Sequence, residues 1–146
     1  MRLPAKFESA GEEDTRSIAR GLAADLRSGD VVALSGPLGS GKTVFVRGLA
    51  EGLGGQARAV ASPTFAILHE YDCARAPSFV HLDLYRLPDD ENELREIGLP
   101  DVLEGKIAAV EWPNRSAAKL LRFRYRVSIE GPADAHRTIR IEREGA

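Results

Sequence analysis

The segment Gly36-Pro37-Leu38-Gly39-Ser40-Gly41-Lys42-Thr43 fits G-x-x-x-x-G-K-[ST] at every fixed position. Residue types in that order suit one task, the capture of a chain of phosphates. Phosphate oxygens need several converging donors, and closely spaced backbone N–H groups supply them. A Cβ at Gly36, Gly39 or Gly41 would block that approach or forbid the backbone angles. Lys42 adds a mobile positive charge for the β- and γ-phosphates, and Thr43 offers a hydroxyl to Mg²⁺. The predicted nucleotide contacts are therefore Pro37, Leu38, Gly39, Ser40, Gly41, Lys42 and Thr43. Pro37 leaves the cradle intact if the donors run from Gly39 to Thr43.

A magnesium-nucleotide site also needs an acid opposite Thr43, delivered from the end of a neighbouring buried strand. Two stretches meet that need: Ser78–Leu82 runs into Asp83, and Lys106–Val110 runs into Glu111. Composition and spacing leave open which one holds magnesium and which orients water. Ser62-Pro63-Thr64-Phe65 lies just after the loop's helix and reads either as a γ-phosphate-sensing switch or as an ordinary turn. Arg47 and Arg86 are candidate charge stabilisers or surface contacts. His69, His81 and His136 lack metal-ligand spacing and read as structural or surface residues. Trp112 reads as core or as the rim of the site.

The elements that must position these groups follow from periodicity. Val31–Leu34 is a continuous apolar run of the kind buried in parallel sheets, and it leads directly into the glycine loop. A helix is predicted from Gly41 to Leu53, with Phe45, Leu49 and Leu53 on one stripe. Another is predicted from Gly11 to Arg27, with acids in its first turn and Ile18, Leu22 and Leu26 four apart. Ala66–Asp72 is a weaker strand, and Asp89–Ile97 a short helix with Leu94 and Ile97 inward. Arg122–Val127 and Thr138–Glu142 alternate at period two and read as an antiparallel hairpin around Gly131-Pro132. Arg122, Arg124 and Arg126 should share one face of it, solvated or meeting phosphates or an acidic partner. The predicted fold is α/β and three-layered, with a mostly parallel central sheet and an added antiparallel C-terminal hairpin.

The 146 residues are about one domain's worth of chain, and residues 1–146 are read as a single domain. With 43% hydrophobic and 29% charged residues, the chain can bury a core, which excludes wholesale disorder. A net charge of -2 argues against a protein that wraps nucleic acid, so no DNA partner is expected. The lone Cys73 excludes an intrachain disulfide and a Cys-rich zinc cluster. No apolar run reaches membrane-spanning length and the N-terminus lacks a signal-peptide core, so a cytoplasmic protein without membrane contact is expected. The residues leave three activities open: an ATPase, a small-molecule kinase, and a nucleotide-dependent interaction module without significant turnover. A kinase needs an arginine-bearing lid, and the acidic stretch Asp89–Leu103 carries only Arg95. No Asn-Lys-x-Asp segment is present to read guanine.

Four blocks occur in order: Gly39-Ser40-Gly41-Lys42-Thr43, Ser62-Pro63-Thr64-Phe65, His81-Leu82-Asp83-Leu84-Tyr85-Arg86-Leu87 and Glu111-Trp112-Pro113. From about Glu12 to Arg115 the chain resembles the TsaE family, small bacterial P-loop ATPases of tRNA threonylcarbamoyladenosine synthesis. The resemblance implies binding and slow hydrolysis of Mg-ATP in support of TsaB and TsaD, which carry out threonylcarbamoyl transfer to adenosine 37 of tRNA. The tRNA would be reached mainly through those partners. By position, Thr43 and Glu111 would hold Mg²⁺, Asp83 would support hydrolysis, and Thr64 would sit near the γ-phosphate with Ser62. Trp112 would lie beside the nucleotide, and Thr15 would touch the adenine. Pro37 departs from the acidic residue common in the family at that point.

Overall fold

The computed structural model describes residues 1–37, 39–55, 68–74, 76–131 and 136–144, with only the backbone of 76 and 77. Leu38, and the Ser62–Phe65 segment with Thr64, lie outside the described residues. In chain order the elements are β1 (Ala5–Ser9), α1 (Glu12–Ala23), β2 (Val31–Ser35), α2 (Lys42–Gly52), β3 (Leu68–Cys73) and β4 (Ala76–Asp83). They continue with α3 (Glu91–Glu96), β5 (Ile107–Glu111), α4 (Arg115–Leu120), β6 (Tyr125–Glu130) and β7 (Arg137–Arg143).

The seven strands form one sheet in the order β1-β7-β6-β2-β5-β4-β3. β6, β2, β5 and β4 run parallel, with Val32 opposite Tyr125 and Ala109, and Ala108 opposite Val80. β7 pairs antiparallel with β6 and β1, and β3 pairs antiparallel with β4. Alternation along each strand sorts side chains onto two faces. Val32, Leu34, Phe79, Ile107 and Ala109 meet Leu22 of α1 and Phe45 and Leu49 of α2. Val31, Ala33, Val80, Leu82 and Val110 meet Leu94 of α3 and Ala117 of α4. The sheet is thus the middle of three layers, as its doubly apolar central strands require. Among the described residues, no helix is long and apolar enough to cross a membrane.

Three local expectations change. The first helix ends at Ala23 rather than Arg27; the Asp25 N–H bonds the Leu22 carbonyl at 2.9 Å and Leu26 turns back to stay buried. The C-terminal hairpin is present, but β6 also pairs in parallel with β2, which makes it part of the central sheet. β6 begins only at Tyr125, so Arg122 and Arg124 precede it and do not share a strand face with Arg126. β1 and α4 were not expected. Asn114 caps α4, its side chain accepting the Ala117 N–H at 2.8 Å.

Candidate active site

The parallel strands β2, β4 and β5 end at one edge of the sheet, at Ser35, Asp83 and Glu111. Ligands of open α/β sheets bind beyond that edge. The loop joining β2 to α2 leaves from it. Gly36, Gly39 and Gly41 have φ of 155°, 77° and 105°. A Cβ on Gly36 would lie 2.5 Å from the Ile129 carbonyl oxygen, so only glycine lets the loop rest on β6. The loop is held from within: the Ser40 N–H donates to the Pro37 carbonyl at 3.1 Å. Ser40 Oγ is buried and has no hydrogen-bond partner among the described residues.

Lys42 opens α2 and is 5% exposed. Its ammonium donates to the Gly36 carbonyl and, at 3.2 Å, to the Pro37 carbonyl. It also sits 3.8 Å from the centre of the Trp112 ring. Burial lowers the Lys42 pKa, and the charges of Glu111 and Asp83 oppose that shift. Trp112 takes a left-handed backbone with φ of 57°, a costly conformation for a bulky residue. Its N–H bonds the Leu34 carbonyl at 3.3 Å, and its ring meets the exposed Tyr85 ring at 4.9 Å. This strained turn after β5 aims the indole over Lys42.

Asp83 and Glu111 stand opposite each other in the β4–β5 ladder. Asp83 shares strand parity with Phe79 and His81, and Glu111 with Ile107 and Ala109, so both acids project toward the α1–α2 face. Asp83 Oδ1 accepts the Tyr85 N–H at 3.0 Å. Burial raises the Asp83 pKa and the Glu111 charge adds to the rise, while the Tyr85 N–H, His81 and Lys42 oppose it. Glu111 is 4% exposed, and its Oε2 is hydrogen-bonded to Nε2 of His81, which is fully buried. His81 therefore fixes one carboxylate oxygen and leaves the other for a further partner. Thr43 follows in the first turn of α2 and is half-buried.

The oxygen donors of Thr43, Asp83 and Glu111 match the preference of Mg²⁺ for one or two carboxylates plus substrate phosphates. Among the described residues, no group of three His, Cys, Asp or Glu side chains forms a metal cage. A cation at this edge would thus depend on phosphate oxygens. The glycine cradle and the orphaned Ser40 hydroxyl fit such a ligand.

Not every candidate joins this group. Thr15 is fully buried, its hydroxyl shared with that of Ser9 at 2.7 Å, and it presents no exposed atom to an adenine. Arg86 is exposed in the turn after β4, and Arg47 is half-buried on α2. His81, expected to be structural or at the surface, is fully buried and holds Glu111 from the strand face that also carries Asp83. Arg137, outside every motif of the sequence, is 3% exposed, and its Nη1 would lie 3.0 Å from a Cβ on Gly41. Its signal was the inward parity it shares with Ile139 and Ile141.

A glycine loop between a central parallel strand and its helix, flanked by acids from the next strands, defines a P-loop fold. A crystal structure of YdiB from Bacillus subtilis superposes with a TM-score of 0.75 at 31% identity, covering 99% of this chain and 88% of that one. The family model for threonylcarbamoyl adenosine biosynthesis protein TsaE matches residues 9–139. The tRNA threonylcarbamoyladenosine biosynthesis protein TsaE of Bacillus subtilis is 38% identical over 135 residues, 92% of this chain and 82% of the relative. The protein of the same description from Streptomyces coelicolor is 41% identical over 116 residues, 79% of this chain and 78% of the relative. The chain belongs to the TsaE family, whose role lies in tRNA threonylcarbamoyladenosine biosynthesis.

Proposed function

We propose that the chain binds Mg-ATP at the glycine-loop edge and hydrolyses it slowly, and that this turnover serves homologues of TsaB and TsaD in threonylcarbamoylation of tRNA. The observation that carries the reading is the convergence of Lys42, Asp83 and Glu111, whose charges act on one another at the edge where the glycine loop begins. Backbone N–H groups from Gly39 to Thr43 bind and orient the phosphates. Lys42 exchanges the loop's own carbonyls for β- and γ-phosphate oxygens. Thr43 and Glu111 would hold Mg²⁺, and the bound ion supplies neutralisation of phosphate charge.

Hydrolysis forms a bond from water oxygen to the γ-phosphorus and breaks the bond to the ADP oxygen. Asp83 orients the water and takes its proton, a role for which a carboxylate of raised pKa is suited. His81 holds Glu111 in place through Oε2. Trp112 covers Lys42 and limits water at the loop.

The test is ATP turnover of the purified chain with and without the TsaB and TsaD homologues. The reading predicts basal turnover that the partners change. Partners that neither bind the chain nor alter its turnover would refute it.

A further inference from the structure

The opposite edge of the sheet carries a second concave site. There the end of α1, the approach to β2, the start of β6 and the end of β7 enclose a cavity of about 310 Å³ lined by Arg27, Arg124, Arg143, Asp25, Asp30 and Tyr125. Arg143 faces Tyr125 in the β6–β7 register. Its Nη2 donates to the Tyr125 hydroxyl at 3.4 Å. Arg124 projects from a fixed backbone: its N–H bonds the Val31 carbonyl and its carbonyl accepts the Glu144 N–H, both at 2.8 Å.

The charges around this cavity do not cancel by pairing. Among the described residues, none of these three guanidinium groups forms an ion pair, whereas Arg16, Arg20, Arg126 and Arg140 each have a carboxylate partner. The two aspartates of the lining are held by other groups of the same rim. Asp25 accepts from the Met1 ammonium at 2.6 Å, and Asp30 accepts the Arg27 backbone N–H at 2.8 Å. Three guanidiniums without a carboxylate partner outweigh Asp30, with Asp25 neutralised by the Met1 ammonium, and this positive excess around one hollow suits anions. Their planar forks suit phosphate oxygens bidentately.

The lining also separates the possible partners. A protein interface needs an apolar core ringed by polar groups, and this hollow offers only Met1 and Ala24 beside its charged and hydroxyl-bearing lining. Contact with a nucleic-acid backbone needs positive charge and no apolar core. We propose that this cavity is a subsite for the phosphodiester backbone of RNA, through which the chain touches tRNA directly on the face opposite the glycine loop. The proposal draws on the family's tRNA pathway and is independent of ATP turnover.

The experiment titrates fluorescent unmodified tRNA with the full chain across a salt series. The variants are Arg27→Gln, Arg124→Gln and Arg143→Gln, with the exposed Arg122→Gln as a control outside the cavity. Each cavity variant is expected to weaken binding by about tenfold and to reduce the salt slope by about one, as loss of one phosphate contact does. Arg122→Gln and the nucleotide affinity should stay unchanged. Arg124 is exposed, and among the described residues its side chain forms no hydrogen bond or ion pair, so its replacement should leave the fold intact. Absence of tRNA binding to the wild-type chain would overturn the proposal, as would equal binding by all variants. Stronger displacement of tRNA by a polyglutamate peptide than by pyrophosphate would also overturn it, and would reassign the hollow to an acidic protein segment.

Discussion

Replacing Lys42 with Met keeps the length and apolar stem of the side chain and removes only its charge. In the ligand-free chain the ammonium is already held by two loop carbonyls and the Trp112 face. On binding ATP it would exchange those contacts for charge-assisted bonds to phosphate, worth roughly 1.5–3 kcal/mol. That corresponds to an affinity loss of about 10- to 150-fold, with the lower end favoured because the ammonium is partly satisfied beforehand. The effect on folding should be small. Two hydrogen bonds of about 1 kcal/mol each are lost, but a desolvated charge at a 5%-exposed position is removed as well. The two changes oppose each other, so the melting temperature should move by roughly 2–4 °C at most, the equivalent of about 1 kcal/mol. Calorimetric titration with a non-hydrolysable ATP analogue and Mg²⁺ measures the first quantity. The fluorescence of Trp112, the single tryptophan, follows the same binding independently. An affinity within threefold of wild type would refute the assignment of the loop. A variant that no longer melts cooperatively would refute the predicted small effect on folding.

Three further outcomes follow from the same structure. Asp83→Asn should lower ATP turnover at least tenfold yet stabilise the ligand-free, magnesium-free chain by roughly 0.5–2 kcal/mol in thermal melts, because a half-buried carboxylate facing Glu111 is neutralised. The Arg16 hydrogen bond holds the Glu51 pKa below its ordinary 4.5, so the link from α1 to α2 contributes above pH 4.5 and fades as pH falls through the lower folded value. Glu51→Gln should therefore cost up to about 1 kcal/mol at pH 7 and nothing in strong acid, measured by urea unfolding across pH. Phe45→Ala, at a fully buried position between α2 and the sheet, should cost about 3–5 kcal/mol in the same unfolding assay.

The parts of this fold that local chemistry dictates could be read from sequence. Val31–Leu34 and Ile107–Val110 are apolar on both faces, which only a central parallel strand rewards, and each delivers its loop or acid to the same edge. The pairing of β6 with β2 was hidden because sequence alternation shows that one face is buried, not which strand lies alongside. β1 was too short and too near the chain start for its alternation to stand out. The loop's backbone was legible where a motif has fixed spacing, since Gly36, Gly39 and Gly41 all take positive φ. The surroundings of Glu111 were not legible because they depend on register: His81 meets Glu111 only because β4 and β5 align Asp83 with Glu111. The adenine contact that the family resemblance implied for Thr15 is not supported by its side chain, whose hydroxyl turns inward to Ser9.

The central claim is that ATP is hydrolysed at the edge where Lys42, Asp83 and Glu111 meet. Its most direct measurement is steady-state phosphate release at saturating Mg-ATP by the wild-type chain and by Glu111→Gln, a near-isosteric change that keeps an acceptor for His81. The wild type should release phosphate slowly but above the protein-free rate, and Glu111→Gln should fall at least tenfold while its melt stays cooperative. Equal release by both proteins, or none above background by the wild type with its partners present, would contradict the account.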